Sequence, residues 1–395
     1  MKLWRHAAPQ GVQMSDTRRG PLKGLRVIEL AGIGPGPFAA MILADLGAEV
    51  IRVDRPGDAS GAVPPHLDAL RRSRESVALN LRTDEGAEAV LAMVEKADVL
   101  IEGFRPGVTE RLGLGPNRCL ERNPKLVYGR MTGWGQTGPL AHSAGHDISY
   151  LALTGALHAM GRADEDPSIP LNLVGDFGGG SLYLAVGVLA AVFEAARSGK
   201  GQIVDAAIID GAANMTAVFH GMMAAGMWQD QRGSNELDSG RPWYDVYKTS
   251  DSKHVAIGPI EPKFYADFVR GLGLDPAEMD RASPESWPSL RAKIAGVFAT
   301  RTRDDWAEHF EGTDACVSPV LSLKEAPNHP HMVDRETFVD VDGVKQPAPA
   351  PRFSRTPGAV QSNPSTPGAH TREVLERWGL GNVEELIDSG VAVQQ

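Results

Sequence analysis

Short apolar runs alternate with helical periodicity over the first 130 residues. "LRVIEL" (25–30) has the length and apolarity of a strand, "PFAAMILADLG" (37–47) carries apolar residues at helical spacing and closes on glycine, and "AEVIRVD" (48–54) is a second strand. Together they predict a βαβ unit. "VALNLRTDEGAEAVLAMVEKADVLIEGF" repeats the theme, with a helix capped near Thr83 or Asp84 and "ADVLIEGF" as a buried strand, and "LVYGRMTGWG" adds a further strand that runs into a glycine-rich loop. A parallel α/β sheet is the expected architecture. Helices are expected at 147–160 and 181–197. The apolar run "LYLAVGVLAAVF" from Leu182 ends in Glu194 and reads as a buried core helix, too short to span a bilayer. "GQIVDAAIIDGAANMTAVFHGMMAAGMW" predicts a strand or helix entry followed by a Met-rich helix.

From Arg241 the pattern changes. "WYDVYKTSDSKHVAIGPIE" predicts a β-hairpin turning at 250–253, and helices near 262–271, 286–299 and 303–311 complete a smaller α+β unit. Beyond Pro327 the chain is Pro-rich and reads as extended backbone. A last helix, "TREVLERWGL", is expected to dock on the first domain. The division is therefore a flexible tail (1–20), a large domain (21–230), a small α+β domain (231–330), and a return segment with C-terminal helix (331–395).

Composition changes this picture little. The chain has 395 residues, 42% hydrophobic and 23% charged, with formal net charge −10. That is an ordinary globular balance, and the acidity argues against nucleic acid or an anionic membrane as partner. Cys119 and Cys316, far apart, give no disulfide framework and fit a reducing cytoplasm. The first twenty residues lack the apolar core of a secretory signal.

Several motifs invite chemistry. "GIGPGP" after a strand has Gly32 and Gly34 where a dinucleotide fingerprint has glycines, and Asp54 where it has an acid. Pro37 occupies the third glycine position and removes an N–H that would face phosphate. "SGKG" at 198–201 lacks the Ser/Thr of a phosphate loop and reads as a helix end. His329 and His331 flank a proline with no nearby cysteine, a poor zinc pattern; no metal site is expected. His146 and Asp147 start an apolar helix, either as surface residue and N-cap or as a base beside free N–H groups. Asp176 precedes three glycines, which cost a helix roughly 1 kcal/mol each and imply that something approaches the backbone there. Glu261 sits before Pro262 at a helix start, as a cap or projecting into a cleft.

As a set, "LADLGAEVIRVDRPGD", "IEGFRPGVTERLGLG", "GRMTGWGQTGP", "GHDISY", "LNLVGDFGGGS", "GKGQIVDAAIIDG", "PWYDVY" and "PAPRFSRTPG" resemble the family III CoA-transferase superfamily, nearest its α-methylacyl-CoA racemase branch. The resemblance covers the chain from about Pro21. It implies a Rossmann-like large domain plus a small α+β domain, in an interlocked homodimer with the active site at the subunit interface. His146 and Asp176 match the catalytic pair, Glu261 a glutamate assisting the histidine from the partner subunit, and Tyr244 a tyrosine near that glutamate. Ile33, Arg55, Arg82, Gly103, Arg105 and Arg111 occupy or flank the CoA-binding positions. The hairpin turn lacks the family's usual Asp-Gly.

The implied reaction is epimerisation of 2-methylacyl-CoA thioesters, an isomerase activity in lipid metabolism. The proton next to the thioester carbonyl leaves one face and returns on the other through an enolate. His146 and Asp176 suit opposing base and acid, sharing one proton. A helix N-terminus would depress the Asp176 pKa, so burial has to offset it. Asp147, through its backbone N–H, together with Tyr244, Gly178 and Gly179, is expected around the enolate oxygen and substrate. The arginines of the first domain (Arg52, Arg55, Arg71, Arg72, Arg74, Arg82, Arg105, Arg111) fit the CoA phosphates. Met215, Met222, Met223 and Met227 either fill core or form a flexible acyl-chain surface. CoA enters as part of the substrate and no other cofactor is implied. The alternative is a CoA-transferase in which Asp176 is the nucleophile.

Overall fold

The computed structural model describes residues 17–57 and 63–395. The tail expected at 1–20 lies largely outside them. Its last residues are held: Arg18 pairs with Glu75 at 2.6 Å, and the Arg19 N–H donates to Gln361 at 3.0 Å.

The chain divides into two compact units, one of residues up to 131, 184–205 and 339–395, the other of 132–183 and 206–338. This grouping departs from the expected boundary at 230. In the first unit the predicted strands form as β1 (Arg26–Leu30), β2 (Glu49–Asp54), β3 (Glu75–Leu79), β4 (Val99–Glu102) and β5 (Val127–Thr132). They order as β3-β2-β1-β4-β5, and each of these neighbouring pairs runs parallel. The strand Gln202–Ala207 follows β5 at one edge. This is the doubly wound order, whose ligand crevice lies outside the carboxyl ends of the strands where the order reverses, between β1 and β4. The helix Asp84–Val94 starts as expected, with the Thr83 hydroxyl accepting the Gly86 N–H.

The C-terminal helix docks as predicted. Val374, Leu375 and Trp378 lie in one core with Ile28, Ile51, Val77 and Leu100. The sequence reading misses two later elements: the helix Val383–Asp388, and the strand Ala392–Val393, which pairs antiparallel with β3. Nor is the Pro-rich segment wholly extended, since Phe338–Val341 and Val344–Pro347 pair as two strands.

The second unit holds the expected hairpin, Asp245–Lys248 with His254–Ile257, joined by a third strand, Val317–Pro319. The helices Pro262–Leu272, Trp287–Phe298 and Arg303–His309 form as predicted, and Phe268, Phe298 and Trp306 lie in the core behind the sheet.

Two predicted helices differ. The one expected over 147–160 breaks at Gly155, which has φ +80°, into Asp147–Leu153 and Ala156–Ala159. The one expected from Ser181 begins at Leu173, winds as a π-helix to Leu182, and continues as an α-helix over Tyr183–Ser198. At 26 residues, Leu173–Ser198 is long and apolar enough to cross a membrane by length and composition alone. It is not the buried core helix expected: Leu182, Val186 and Phe193 are exposed.

Candidate active site

His146, Asp147 and Asp176 come together in the second unit. The loop before His146 is fixed by Tyr150, whose hydroxyl donates to the Gly145 carbonyl at 2.5 Å while its ring meets Trp134 edge-on at 4.8 Å. His146 caps the helix Asp147–Leu153 in extended backbone and is itself exposed. Asp147 is buried at 8% exposure, and its Oδ1 accepts the Asp176 N–H at 2.6 Å. That bond ties the start of one helix to the first turn of the π-helix.

Asp176 therefore lies inside a helix, not ahead of one. Its carboxylate is half-buried and accepts from Asn172 at 3.4 Å, and its carbonyl accepts from Ser181 at 3.0 Å. Burial pushes the Asp176 carboxyl above the usual carboxylate range. The Asn172 bond opposes this, the Asp147 charge adds to it, and His146 opposes it. The depression expected from a helix N-terminus is outweighed. Asp147 is likewise raised by burial, against the N–H groups of Asp176 and Gly175.

The glycines after Asp176 do receive a close backbone approach, and the neighbour is protein. A Cβ on Gly179 would lie 2.7 Å from the Ala212 nitrogen, and one on Gly211 would lie 1.9 Å from the Gly179 carbonyl oxygen. The helix Ile208–Met215 is thus pressed directly on the π-helix. Gly178 faces Met215, whose methyl would be 3.4 Å from such a Cβ.

Glu261 precedes the helix Pro262–Leu272 and makes no side-chain cap; its carboxylate is exposed. Arg281 donates to the carbonyl of Ile260 at 2.7 Å and lies over the rings of Tyr265 and Trp243 at 4.6 and 5.2 Å. Tyr244 packs beside Gly258. A cavity of about 940 Å³ is lined by Val174, Met215, Met223, Trp228, Tyr244 and Cys316. Met222 and Met227 line a separate cavity of about 590 Å³ with Arg241, Trp243 and Arg281. The four methionines do not make one surface.

In the first unit, Ile33 and Gly103 follow β1 and β4 at the switch point, and Arg105 and Arg111 lie on the segment after β4. Arg55 follows β2 and Arg82 follows β3. All four of these arginines are exposed and form no ion pair with another described residue. The other four arginines named for CoA are structural. Arg52 bridges Glu29 and Asp54 at 2.6 and 3.0 Å, Arg71 pairs with Asp54 at 2.7 Å, Arg72 with Asp45 at 2.7 Å, and Arg74 with Glu29, all buried. A further network escaped the sequence reading: buried Glu102 accepts from Arg130 at 2.9 Å and from the Phe104 N–H at 2.7 Å, and Arg130 reaches Glu110 at 2.9 Å. It braces the segment that carries Arg105 and Arg111.

Residues 22–371 match the model of CoA-transferase family III. A mouse protein named alpha-methylacyl-CoA racemase is 45% identical over 92% of this chain and 95% of its own length. A human protein of the same name is 42% identical over 92% and 94%. Among solved structures, a CAIB/BAIF family protein from Brucella suis superposes with TM-score 0.79 at 27% identity, covering 91% of this chain and all of that one. The chain belongs to CoA-transferase family III.

Proposed function

We propose that this chain is an α-methylacyl-CoA racemase, interconverting the (R) and (S) forms of 2-methylacyl-CoA thioesters by proton transfer between His146 and Asp176. The observation that carries the reading is Asp176: a half-buried carboxyl, held above its ordinary range, on a helix bonded to the one His146 begins. A general acid must hold a proton before it donates one, and burial shifts Asp176 toward the protonated form. Two relatives named as racemases, each above 40% identity, support the assignment.

In one direction neutral His146 takes the α-proton, the electrons move onto the thioester oxygen, and protonated Asp176 returns a proton to the opposite face. Imidazolium and carboxylate remain, and these start the reverse reaction. The Asp147 N–H, first in its helix and without an intrahelical acceptor, is the donor assigned to the enolate oxygen. CoA is assigned to Ile33, Arg55, Arg82, Gly103, Arg105 and Arg111, at the carboxyl ends of the strands where doubly wound sheets bind ligands. Glu261 has an exposed carboxylate with no cap role. It is assigned to the His146 of a second copy in a homodimer, and the protein to the cytoplasm.

Incubation of one 2-methylacyl-CoA epimer in D2O, with and without a free carboxylic acid, tests the reading. Epimerisation with α-deuterium uptake, independent of the acid, is expected. Acid-dependent CoA exchange without epimerisation, or no reaction in either arm, overturns it.

A further inference from the structure

Asp147 has a side chain that the proposed mechanism does not use. Its carboxylate is buried, Oδ1 is bound to the Asp176 N–H at 2.6 Å, and Oδ2 is buried with no hydrogen-bond partner. No Lys or Arg pairs with it among the described residues. A buried carboxylate with one oxygen unsatisfied is costly. A serine or threonine would satisfy a helix N–H without that cost. The chain also shapes the neighbouring backbone around this group: a Cβ on Gly175 would lie 2.2 Å from Asp147 Oδ1 and 2.7 Å from its Cγ. Only glycine before Asp176 lets the carboxylate seat there.

We propose that the Asp147 side chain is a positioning residue for Asp176, fixing its backbone through the short hydrogen bond and holding a negative charge beside its carboxyl. The inference rests on the reading of Asp176 as an acid. The other groups around Asp176 do not duplicate the role. His146 brings the opposite charge when protonated, and Asn172 is neutral. Tyr150, on the Asp147 helix, spends its hydroxyl on the Gly145 carbonyl. The helix Ile208–Met215 brings only Asp210, which is exposed. The Asp147 charge is among the forces that raise Asp176.

The test is the pH profile of epimerisation. Asp147→Asn keeps a carbonyl oxygen to accept the Asp176 N–H and removes the charge. The acid limb of kcat/KM, where the pair takes up its second proton, should move to lower pH. Asp147→Ala should show the same shift and also lose kcat, by up to about a hundredfold if Asp176 moves by an ångström. An active Asn variant with an unmoved acid limb overturns the inference. Should the Asn variant fail to fold, Asp147→Glu keeps the charge and displaces the hydrogen bond. It should lower kcat with the acid limb unmoved, and wild-type kcat there overturns the inference. Loss of α-deuterium uptake by the wild-type protein would instead refute the racemase reading, so the two failures are distinct.

Discussion

A graded alanine series tests whether the glycines around Asp176 serve helix packing or ligand approach. A Cβ on Gly178 would lie 3.2 Å from the Leu173 carbonyl oxygen and 3.4 Å from a flexible Met215 methyl. Relieving these contacts takes a shift of only a few tenths of an ångström and alanine gains up to about 1 kcal/mol of helix propensity, so Gly178→Ala should be close to neutral and the mildest of the three. Gly179→Ala puts a methyl 2.7 Å from the Ala212 nitrogen, about 0.7 Å inside ordinary contact, against backbone that cannot rotate away. Overpacking of this kind costs roughly 1–3 kcal/mol, which a propensity gain of about 1 kcal/mol reduces to about 0–2 kcal/mol. At Gly211 the methyl would meet the Gly179 carbonyl oxygen at 1.9 Å, and the loss should be the largest of the three. Thermal unfolding reads the order directly, at roughly 2–4 °C per kcal/mol for a unit of this size. Steady-state epimerisation reads the consequence for Asp176: kcat should fall in the same order, with KM little changed for Gly178→Ala. A Gly178→Ala protein of normal stability but sharply raised KM would refute the packing account and restore ligand approach as the reason for glycine.

Trp378→Ala should cost the first unit about 3–5 kcal/mol by calorimetry, because the ring is fully buried, donates to Glu49 at 2.9 Å and lies under Arg26; a loss under 1 kcal/mol contradicts the docking of the C-terminal helix. Burial raises the Glu102 carboxyl to about 7 from 4.5. The folded state thus holds a proton that the unfolded state releases between those values, and stability falls as pH rises through that window. Glu102→Gln should flatten that slope in thermal melts, and an unchanged slope refutes the assignment. Arg105→Ala and Arg111→Ala should each raise KM for the CoA ester by roughly two- to fivefold at unchanged melting temperature, as exposed ion pairs are worth up to about 1 kcal/mol. Arg72→Ala should instead unfold the protein more readily, by about 3–5 kcal/mol, since it strands buried Asp45. Met223→Leu should alter acyl-chain preference in a substrate panel and Met222→Leu should not, because only Met223 lines the larger cavity; identical panels contradict this.

The sheet was legible because parallel strands buried on both faces read as unbroken apolar runs, and "LRVIEL", "EVIRVD" and "DVLIE" stand out between helical patterns. Family motifs mark His146, Asp176 and Glu261; spacing alone leaves the pair divided between caps and chemistry. What periodicity missed has local causes. Gly155 ends a helix by adopting a left-handed conformation that an apolar pattern does not record. The π-helix start before Asp176 is bonded in its first turn by Asp147, 29 residues away, a contact that no local pattern records. The arginines of the first unit look alike in sequence, and only partners such as Glu29, Asp45 and Asp54 separate the four buried in ion pairs from the four left exposed. The strand Ala392–Val393 is too short for a pattern and exists because β3 offers an edge.

In the proposed mechanism two groups handle one proton on opposite faces. The direct test follows each 2-methylacyl-CoA epimer separately in D2O with His146→Ala and Asp176→Ala, recording α-deuterium uptake and inversion in the same sample. Each variant should lose inversion. Each should keep deuterium uptake from only one epimer, the one whose α-proton faces the surviving group, and that epimer should differ between the two variants. Full inversion by either variant, or uptake from the same epimer in both, would contradict the account.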